Sequence, residues 1–513
     1  MTNGLLILNG VTTKQHIYTC LKEASKFVQN NMYVEFLSCG LPIKSKQKLD
    51  ILNCVYNRPI DICKGVNVHV LLSQAGTLFS KNLQVCVASE NLKFLHKDFE
   101  TNVQKKYLFE DSVVRFINHP IDEFDVDGTD LSFYDNVVIG GTFDRIHDGH
   151  KLLISTALFY AQKKLVVGVS DGVLLQKKVL KELIEPVETR IKNVIELIET
   201  YKPEIQHKVV PLYDSCGPSG TDSDLQALVV SAETLNGAAI VNSQRATNGL
   251  NKLDVISIDI VSENVFDLAK IVNDEQKLSS SSERMRLLGT LRRQPNCVSH
   301  ETQSKNPYVI GVTGGMASGK SAVVKRLEGL GAFTINCDKL GHAAYLPGEN
   351  AYTLIVEHFG HEILNDDQTI NRKKLAEIVF SDAEELNVLN NIVWPEIRKM
   401  LKNIISEQRG KHEVVVFEGA ILFEAGWDKD ANEVWCCFLP NEEAIRRIQV
   451  RNGLSVDQAK SRVQSQIPNE ERIEKSHVLL STLWEEEFTQ RQCEKAWSLL
   501  KQRIPKNCNT QGL

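Results

Sequence analysis

The chain has 513 residues, of which 42% are apolar and 24% charged, with a net charge of −6. Such a balance belongs to soluble globular proteins and excludes bulk attraction to nucleic acid or anionic lipid, so any anion site must be built locally. Length predicts about three domains.

The first apolar run, Leu5 to Leu8, is too short for a signal segment or a membrane span, and Lys14 is the one basic residue among the first twenty. Twelve cysteines are scattered without a C-x-x-C pair, which predicts reduced thiols, no zinc and a cytoplasmic protein. Residues 1–135 alternate short apolar segments (Gly4 to Leu8, Val66 to Leu72, Leu83 to Ala88) with polar stretches and end in an acidic run, 121–130. This pattern predicts a mixed α/β domain. It holds no phosphate loop, metal spacing or nucleophile constellation, so sequence assigns it no role.

Residues 136–289 begin with a strand, Val137 to Ile139, followed by a Gly-rich turn, a helix over about 150–163 and a strand, Leu165 to Val169. That order makes one βαβ unit of a parallel sheet. Leu152, Leu153, Thr156, Ala157 and Tyr160 fall on one buried helical face. Residues 290–306 read as a linker. Residues 307–513 open with a strand, a second Gly-rich loop, a helix to about Leu330 and a strand, Ala332 to Ile335; Val414 to Phe417 and Val434 to Phe438 are continuous apolar runs suited to strands covered on both faces.

The upstream turn places His147 and His150 where a helix starts, so that two imidazoles and the positive helix end converge on one point. Such donors suit attack at an α-phosphorus, whose transition state gathers charge on equatorial oxygens. A zinc pair or a capped loop would share the H-x-x-H spacing, and the later serines Ser279 to Ser282 suit an N-cap as well as a phosphate contact. The stretch Val138 to His150, with Ser279 to Arg284, resembles the nucleotidyltransferases with an H-x-G-H signature, and specifically the phosphopantetheine adenylyltransferases of eukaryotic type. The likeness runs over about 136–289 and includes Gly168 to Asp171, Glu185 to Arg190 and Tyr213 to Gly220. It implies a Rossmann-like domain that binds ATP through Gly140, Gly141, Thr142, Phe143, Arg245, Ser280, Ser281, Ser282 and Arg284. His147 and His150 would stabilise the reacting phosphate, and Lys178 would sit beside the phosphate of 4′-phosphopantetheine. Relatives often show two arginines near Asn242 to Arg245; here Ser243 stands near Arg245.

Downstream, Gly314 to Ser321 spell G-x-x-x-x-G-K-S after a strand and before a helix. In this pattern Gly314, Gly315, Met316, Ala317, Ser318 and Gly319 turn the backbone N–H groups toward a triphosphate, Lys320 meets its β/γ end and Ser321 offers a hydroxyl to Mg²⁺. Asn251 to Asp254 match a guanine-reading N-K-x-D, but they precede the loop and no D-x-x-G follows it, which argues against a GTPase. A kinase needs an acid at the acceptor hydroxyl and arginines over the phosphates. Asp338 and Glu418 lie at strand ends, and Arg447, Arg451, Arg462 and Arg472 follow in a lid-like region. Each could also be a cap or a solvated charge.

This half resembles dephospho-coenzyme A kinases over about 307–505, including Gly331 to Asp338, Gly341 to Gly348, Ile370 to Lys374 and Trp394-Pro395. The likeness implies a P-loop kinase domain with Asp338 as base on a ribose 3′-hydroxyl and Arg451 on phosphate. Asn336 replaces a second acid of relatives, and Glu418 to Leu422 replace an Asp-x-Pro-Leu-Leu stretch.

The order of the two halves resembles bifunctional enzymes of animals that perform the last two steps of coenzyme A synthesis. ATP, 4′-phosphopantetheine and dephospho-coenzyme A are the implied partners, with no nucleic acid. A site at the mitochondrial outer surface is implied by the family, although no anchor is evident. A nicotinamide-nucleotide adenylyltransferase fused to a nucleoside kinase, or an ATP-sensing scaffold, would use the same modules.

Overall fold

A computed structural model describes residues 2–9, 14–37, 45–59, 61–72, 83–89, 113–117, 131–259, 279–296 and 307–504. The chain divides into two compact units, Met1–Arg284 and Met285–Leu513. The acidic run at 121–130 lies outside the described residues.

The first unit holds two five-stranded sheets, each wholly parallel. One is formed by β1 (Gly4–Asn9), β2 (Asn31–Leu37), β3 (Asn67–Val70), β4 (Val85–Ser89) and β5 (Val113–Ile117), in the order β3-β2-β1-β4-β5. The other contains β6 (Tyr134–Gly141), β7 (Ala161–Ser170), β8 (Gln206–Leu212), β9 (Ala227–Ser231) and β10 (Asp254–Ile258), in the order β10-β9-β6-β7-β8. In both, the first strand lies at the centre and the chain reverses direction of growth beside it, which opens a crevice at its carboxyl end. One apolar core joins the two sheets, from Val34, Leu52 and Val70 to Leu152, Leu158 and Val194.

Two expected limits move. The boundary at 135/136 falls inside β6, because Tyr134 and Asp135 already belong to the strand and Tyr134 pairs with Ala161. The helix spans Asp148–Tyr160 rather than reaching 163, since Ala161 turns to extended backbone (φ −78°, ψ 126°) and starts β7.

The second unit carries a five-stranded parallel sheet in the order β12-β13-β11-β14-β15, from β11 (Tyr308–Gly314), β12 (Phe333–Asn336), β13 (Val414–Glu418), β14 (Glu433–Phe438) and β15 (Val478–Ser481). Every residue of β13 and β14 is buried, as continuous apolar runs require. The exceptions in polarity are Glu418 and Glu433, and the Glu433 carboxylate accepts from Tyr308 Oη, Trp435 Nε1 and Arg503 Nε, each at 2.8 Å.

The expected linker is partly built into this unit. Leu291 bridges to Val478, Arg292 N donates to His477 O at 2.8 Å, and Asn296 N donates to Asn432 O at 2.8 Å. Residues 297–306 lie outside the described residues. Among the described residues no helix is long and apolar enough to cross a membrane.

Candidate functional site

The turn after β6 is tightly constrained. Phe143 and Arg145 both adopt φ of +49°, a left-handed conformation that side chains other than glycine enter only when the surroundings impose it. Phe143 is buried with its ring 5.2 Å from that of His150, and a Cβ on Gly141 would meet the same ring at 3.1 Å. Arg145 N donates to Glu185 Oε2 at 3.2 Å, while the buried Asp144 accepts from Glu185 N at 3.0 Å.

At the end of this turn the rings of His147 and His150 stack at 3.9 Å. Burial and the neighbouring His147 hold the His150 imidazole well below its ordinary pKa, so it stays neutral at physiological pH. Its Nδ1 is buried with no hydrogen-bond partner among the described residues. A neutral imidazole offers one N–H donor and one acceptor, which suits a phosphoryl oxygen without opposing the helix dipole.

Beside the turn lies a cavity of about 380 Å³, lined in part by Gly140, Gly141, Thr142 and Lys178. Ser170, Asp214, Ser215, Cys216, Ser219 and Thr234 add polar groups to its lining. Asp214 accepts from Cys216 N at 2.9 Å and Gly217 N at 2.7 Å, and these donors lower its pKa.

Of the expected site residues, Phe143, His147, His150, Arg245, Ser280, Ser281, Ser282 and Arg284 are not among those that line this cavity. Arg284 is 1% exposed and pairs with Asp144, donates from Nε to Val179 O at 2.9 Å and from Nη2 to Ser281 Oγ at 3.1 Å. It braces the turn from behind instead of lining the cavity. Arg245, fully buried, donates to Asn251 O, Ser219 O and Asp222 O at 2.6, 2.8 and 2.8 Å, so it clamps backbone carbonyls, although its Nη2 has no hydrogen-bond partner among the described residues. Ser280, Ser281 and Ser282 begin the Ser280–Leu287 helix, with Ser282 Oγ donating to Ser279 O at 2.8 Å, and none of them lines the cavity.

Sequence reasoning assigned no role to Arg190. It is buried and donates to Thr142 O at 2.8 Å and Ser170 O at 2.7 Å, joining two cavity-lining segments.

The second unit places its phosphate loop after the central strand β11. Gly314 has φ of +154°, and a Cβ there would lie 2.2 Å from Cys437 O; Gly319 has φ of +78° and faces Thr482. Glycine is therefore required at both positions. Ala317 adopts φ of +59°. Lys320 Nζ bonds to Gly314 O at 2.9 Å and Gly315 O at 3.1 Å. Burial lowers the Lys320 pKa, opposed by charges that include Glu418 and Asp338.

Ser321 Oγ donates to Glu418 Oε1 at 2.8 Å, and Glu418 is 3% exposed at the tip of β13. Asp338 is exposed in the first turn of the Cys337–Ala343 helix, which Asn336 caps by accepting from Lys339 N at 2.9 Å. Asn336 and Glu418 are register partners, so the tips of β12 and β13 flank the loop.

The arginine beside the loop in this structure is Arg472, not the expected Arg451. That residue is exposed on the Asn441–Asn452 helix and does not line the loop cavity, while Arg447 on the same helix is tied to Glu443 at 2.8 Å and Thr482 O at 2.7 Å. Arg472 is 2% exposed and sits against Gly315, where a Cβ would lie 3.3 Å from its Nη1. Its Nε and Nη2 have no hydrogen-bond partner among the described residues. Gln466 accepts from Met316 N at 2.7 Å, and with Arg472 it lines a cavity of about 210 Å³ that also touches Gly315 and Ser318. The family resemblance put Arg451 on phosphate, while Arg472 stood in the same lid-like region, in the polar stretch that includes Gln466.

Residues 308–483 match the family model for dephospho-CoA kinase, and residues 138–287 match the cytidylyltransferase-like model. The chain is 37% identical over 185 residues to a dephospho-CoA kinase of Carboxydothermus hydrogenoformans, covering 36% of this chain and 90% of that protein. It is 38% identical over 191 residues to a dephospho-CoA kinase of Geobacter sulfurreducens, covering 37% of this chain and 97% of the relative. Over 155 residues it is 38% identical to a phosphopantetheine adenylyltransferase of Saccharomyces cerevisiae, covering 30% of this chain and 48% of the relative, about half its length.

Proposed function

We propose that this chain, which belongs to the dephospho-CoA kinase family and carries a cytidylyltransferase-like domain ahead of that part, makes coenzyme A in two consecutive ATP-dependent steps. The observation that carries the reading is the pair of nucleotide sites on one chain. One is the stacked histidines at the end of the turn after β6, whose Gly141 and Thr142 line a cavity, and the other is the Lys320 phosphate loop with Glu418 and Arg472 beside it.

In the first step a phosphate oxygen of 4′-phosphopantetheine attacks the α-phosphorus of ATP, the bond to the β-phosphate breaks and pyrophosphate leaves. His147 and His150 donate to the phosphoryl oxygens, Lys178 holds the acceptor phosphate and the Thr142 turn fixes the geometry. Positioned donors of this kind stabilise equatorial charge without a covalent intermediate. In the second step Asp338 accepts the proton of the ribose 3′-hydroxyl, whose oxygen attacks the γ-phosphorus of a second ATP, and ADP leaves. Lys320 and Arg472 balance the charge on the transferring group.

Mg²⁺ fits the Ser321 hydroxyl and the Glu418 carboxylate, an oxygen pair suited to a hard cation. When bound it would neutralise charge on the β- and γ-phosphates. The described cysteines, all free thiols, suit a reducing compartment, so we place the enzyme in the cytoplasm; association with the mitochondrial outer surface is part of the same proposal.

The test supplies purified protein with 4′-phosphopantetheine, Mg²⁺ and ATP labelled at the α- or γ-phosphate. Both labels are expected in coenzyme A. Label stopping in dephospho-coenzyme A would remove the second step from the proposal, and no incorporation would refute it.

A further inference from the structure

The residue that follows His147, Asp148, does not cap its own helix. The Asp148–Tyr160 helix has His147 at its N-cap without a side-chain cap bond, and a first-turn carboxylate ordinarily serves the free N–H groups there. Here Asp148 reaches across to the amino-terminal sheet. Its Oδ2 stands 2.9 Å from Arg58 Nη1 and its Oδ1 stands 3.0 Å from Lys151 Nζ.

Both cations are anchored in residues that sequence left without a role. The Arg58 Nη1 also donates to Val55 O at 2.8 Å, at the end of the Ser45–Tyr56 helix. Lys151, 3% exposed, donates to Val68 O at 3.1 Å and to the Asn67 side chain on β3. One turn further along, Ser155 Oγ lies 3.5 Å from Tyr56 Oη, which accepts from Val70 N at 3.1 Å. The first two turns of the histidine-bearing helix are therefore fastened to the amino-terminal sheet by a charged triad and a hydroxyl pair.

We propose that the amino-terminal domain positions the adenylyl-transfer site, and that Arg58 is its positioning residue, acting through Asp148 on His147 and His150. The inference rests on the reading of those histidines given above. Its physical basis is that two partly buried cations fix a carboxylate far more rigidly than one, and that a misplacement of about 1 Å at a reacting group lowers rate by about 100-fold.

The experiment measures dephospho-coenzyme A formation from 4′-phosphopantetheine and ATP in the full chain, with phosphorylation of supplied dephospho-coenzyme A as an internal control. Arg58→Met is expected to lower kcat of the first step by about 10- to 100-fold with KM for both substrates changed less than about threefold. The second step should be unchanged. Arg58→Lys should recover most of the loss, and in an Asp148→Asn background Arg58→Met should have no further effect.

Val34→Ala controls for general loosening, since Val34 is buried in β2 and outside the triad. Full kcat in Arg58→Met, an additive loss in the Asp148→Asn background, or an equal loss in Val34→Ala would each overturn the proposal. Wild-type protein that makes no dephospho-coenzyme A would instead refute the reading of the histidine site on which it rests.

Discussion

Replacing Arg472 by methionine separates catalysis from stability in the second unit. The guanidinium is buried, two of its nitrogens have no hydrogen-bond partner among the described residues, and the Glu424 carboxylate stands 4.0 Å from Nη2. Burial lowers the pKa of this arginine, which is the sign of a cation held against its solvation. In a protein that had no use for it, such a charge would be a liability, because removing a poorly paired buried ion in favour of an apolar side chain is often neutral or stabilising.

The charge is worth more to a triphosphate. A unit charge about 5 Å from a phosphate oxygen, at an effective dielectric of about 20, contributes about 3 kcal/mol. That corresponds to a rate factor of about 100. Arg472→Met should therefore lower kcat/KM for phosphorylation of dephospho-coenzyme A by about 100-fold while the melting temperature stays the same or rises. The assay couples ADP release to a spectrophotometric readout, with adenylyl transfer in the same preparation as the control for folding. A rate within about threefold of wild type, or a loss that tracks a fall in melting temperature, would refute the argument that the unpartnered nitrogens are reserved for phosphate.

Three further outcomes are expected. His150→Ala should lower adenylyl transfer by about 100- to 1000-fold and spare the kinase step, as loss of one positioned donor does; label incorporation from each labelled ATP reads both at once. Asp338→Asn should do the converse, lowering kcat for phosphorylation by about 100-fold or more with KM for ATP unchanged, since it removes the proton acceptor and leaves the Lys320 loop intact. The third concerns pH. His69 is buried beside Tyr33 and Tyr201, and burial, assisted by Lys151, lowers its pKa from 6.5 to about 3. Between those values the unfolded chain takes up a proton that the folded chain refuses, so stability falls as pH drops below 6.5, by about 2 kcal/mol at pH 5. Denaturant titration at pH 7 and pH 5 should show that loss, and His69→Gln should remove it; an unchanged slope would mean that His69 protonates without opposing folding.

The parts of the two sites that sequence made legible are those written in the backbone. Gly314 and Gly319 are required by their positive φ and by the atoms that a Cβ would strike, so the spelling of the loop and its geometry are the same fact. The turn from Gly140 to Thr142 is legible for a similar reason: these residues end a central strand, where a parallel sheet opens its crevice. Arginines are different. Arg245 and Arg284 occupy the expected positions, yet their guanidinium groups serve carbonyls and Asp144. A long side chain takes its direction from tertiary neighbours, and local spacing carries no information about them. The resemblance put Arg451 on phosphate, whereas Arg472 of the same lid-like region is the one held against Gly315. The same limit hid the amino-terminal domain, whose link to the histidines depends on Arg58 meeting Asp148 from a distant part of the chain.

The departures from family patterns have local physical accounts. Asn336, standing where relatives carry an acid, caps the Cys337–Ala343 helix through Lys339 N and so orients the turn that presents Asp338. Glu418, at the start of the stretch that relatives write as Asp-x-Pro-Leu-Leu, reaches Ser321 Oγ at 2.8 Å from within the buried strand end, so the carboxylate beside the phosphate loop is kept. Ser243 donates to Ala239 O on an exposed helical face at 2.9 Å. A non-catalytic scaffold would be free to leave such positions uncompensated. Each instead has a polar partner of its own, and among the described residues the buried nitrogens without a hydrogen-bond partner include His150 Nδ1, beside the turn after β6, and Nε and Nη2 of Arg472, beside the phosphate loop.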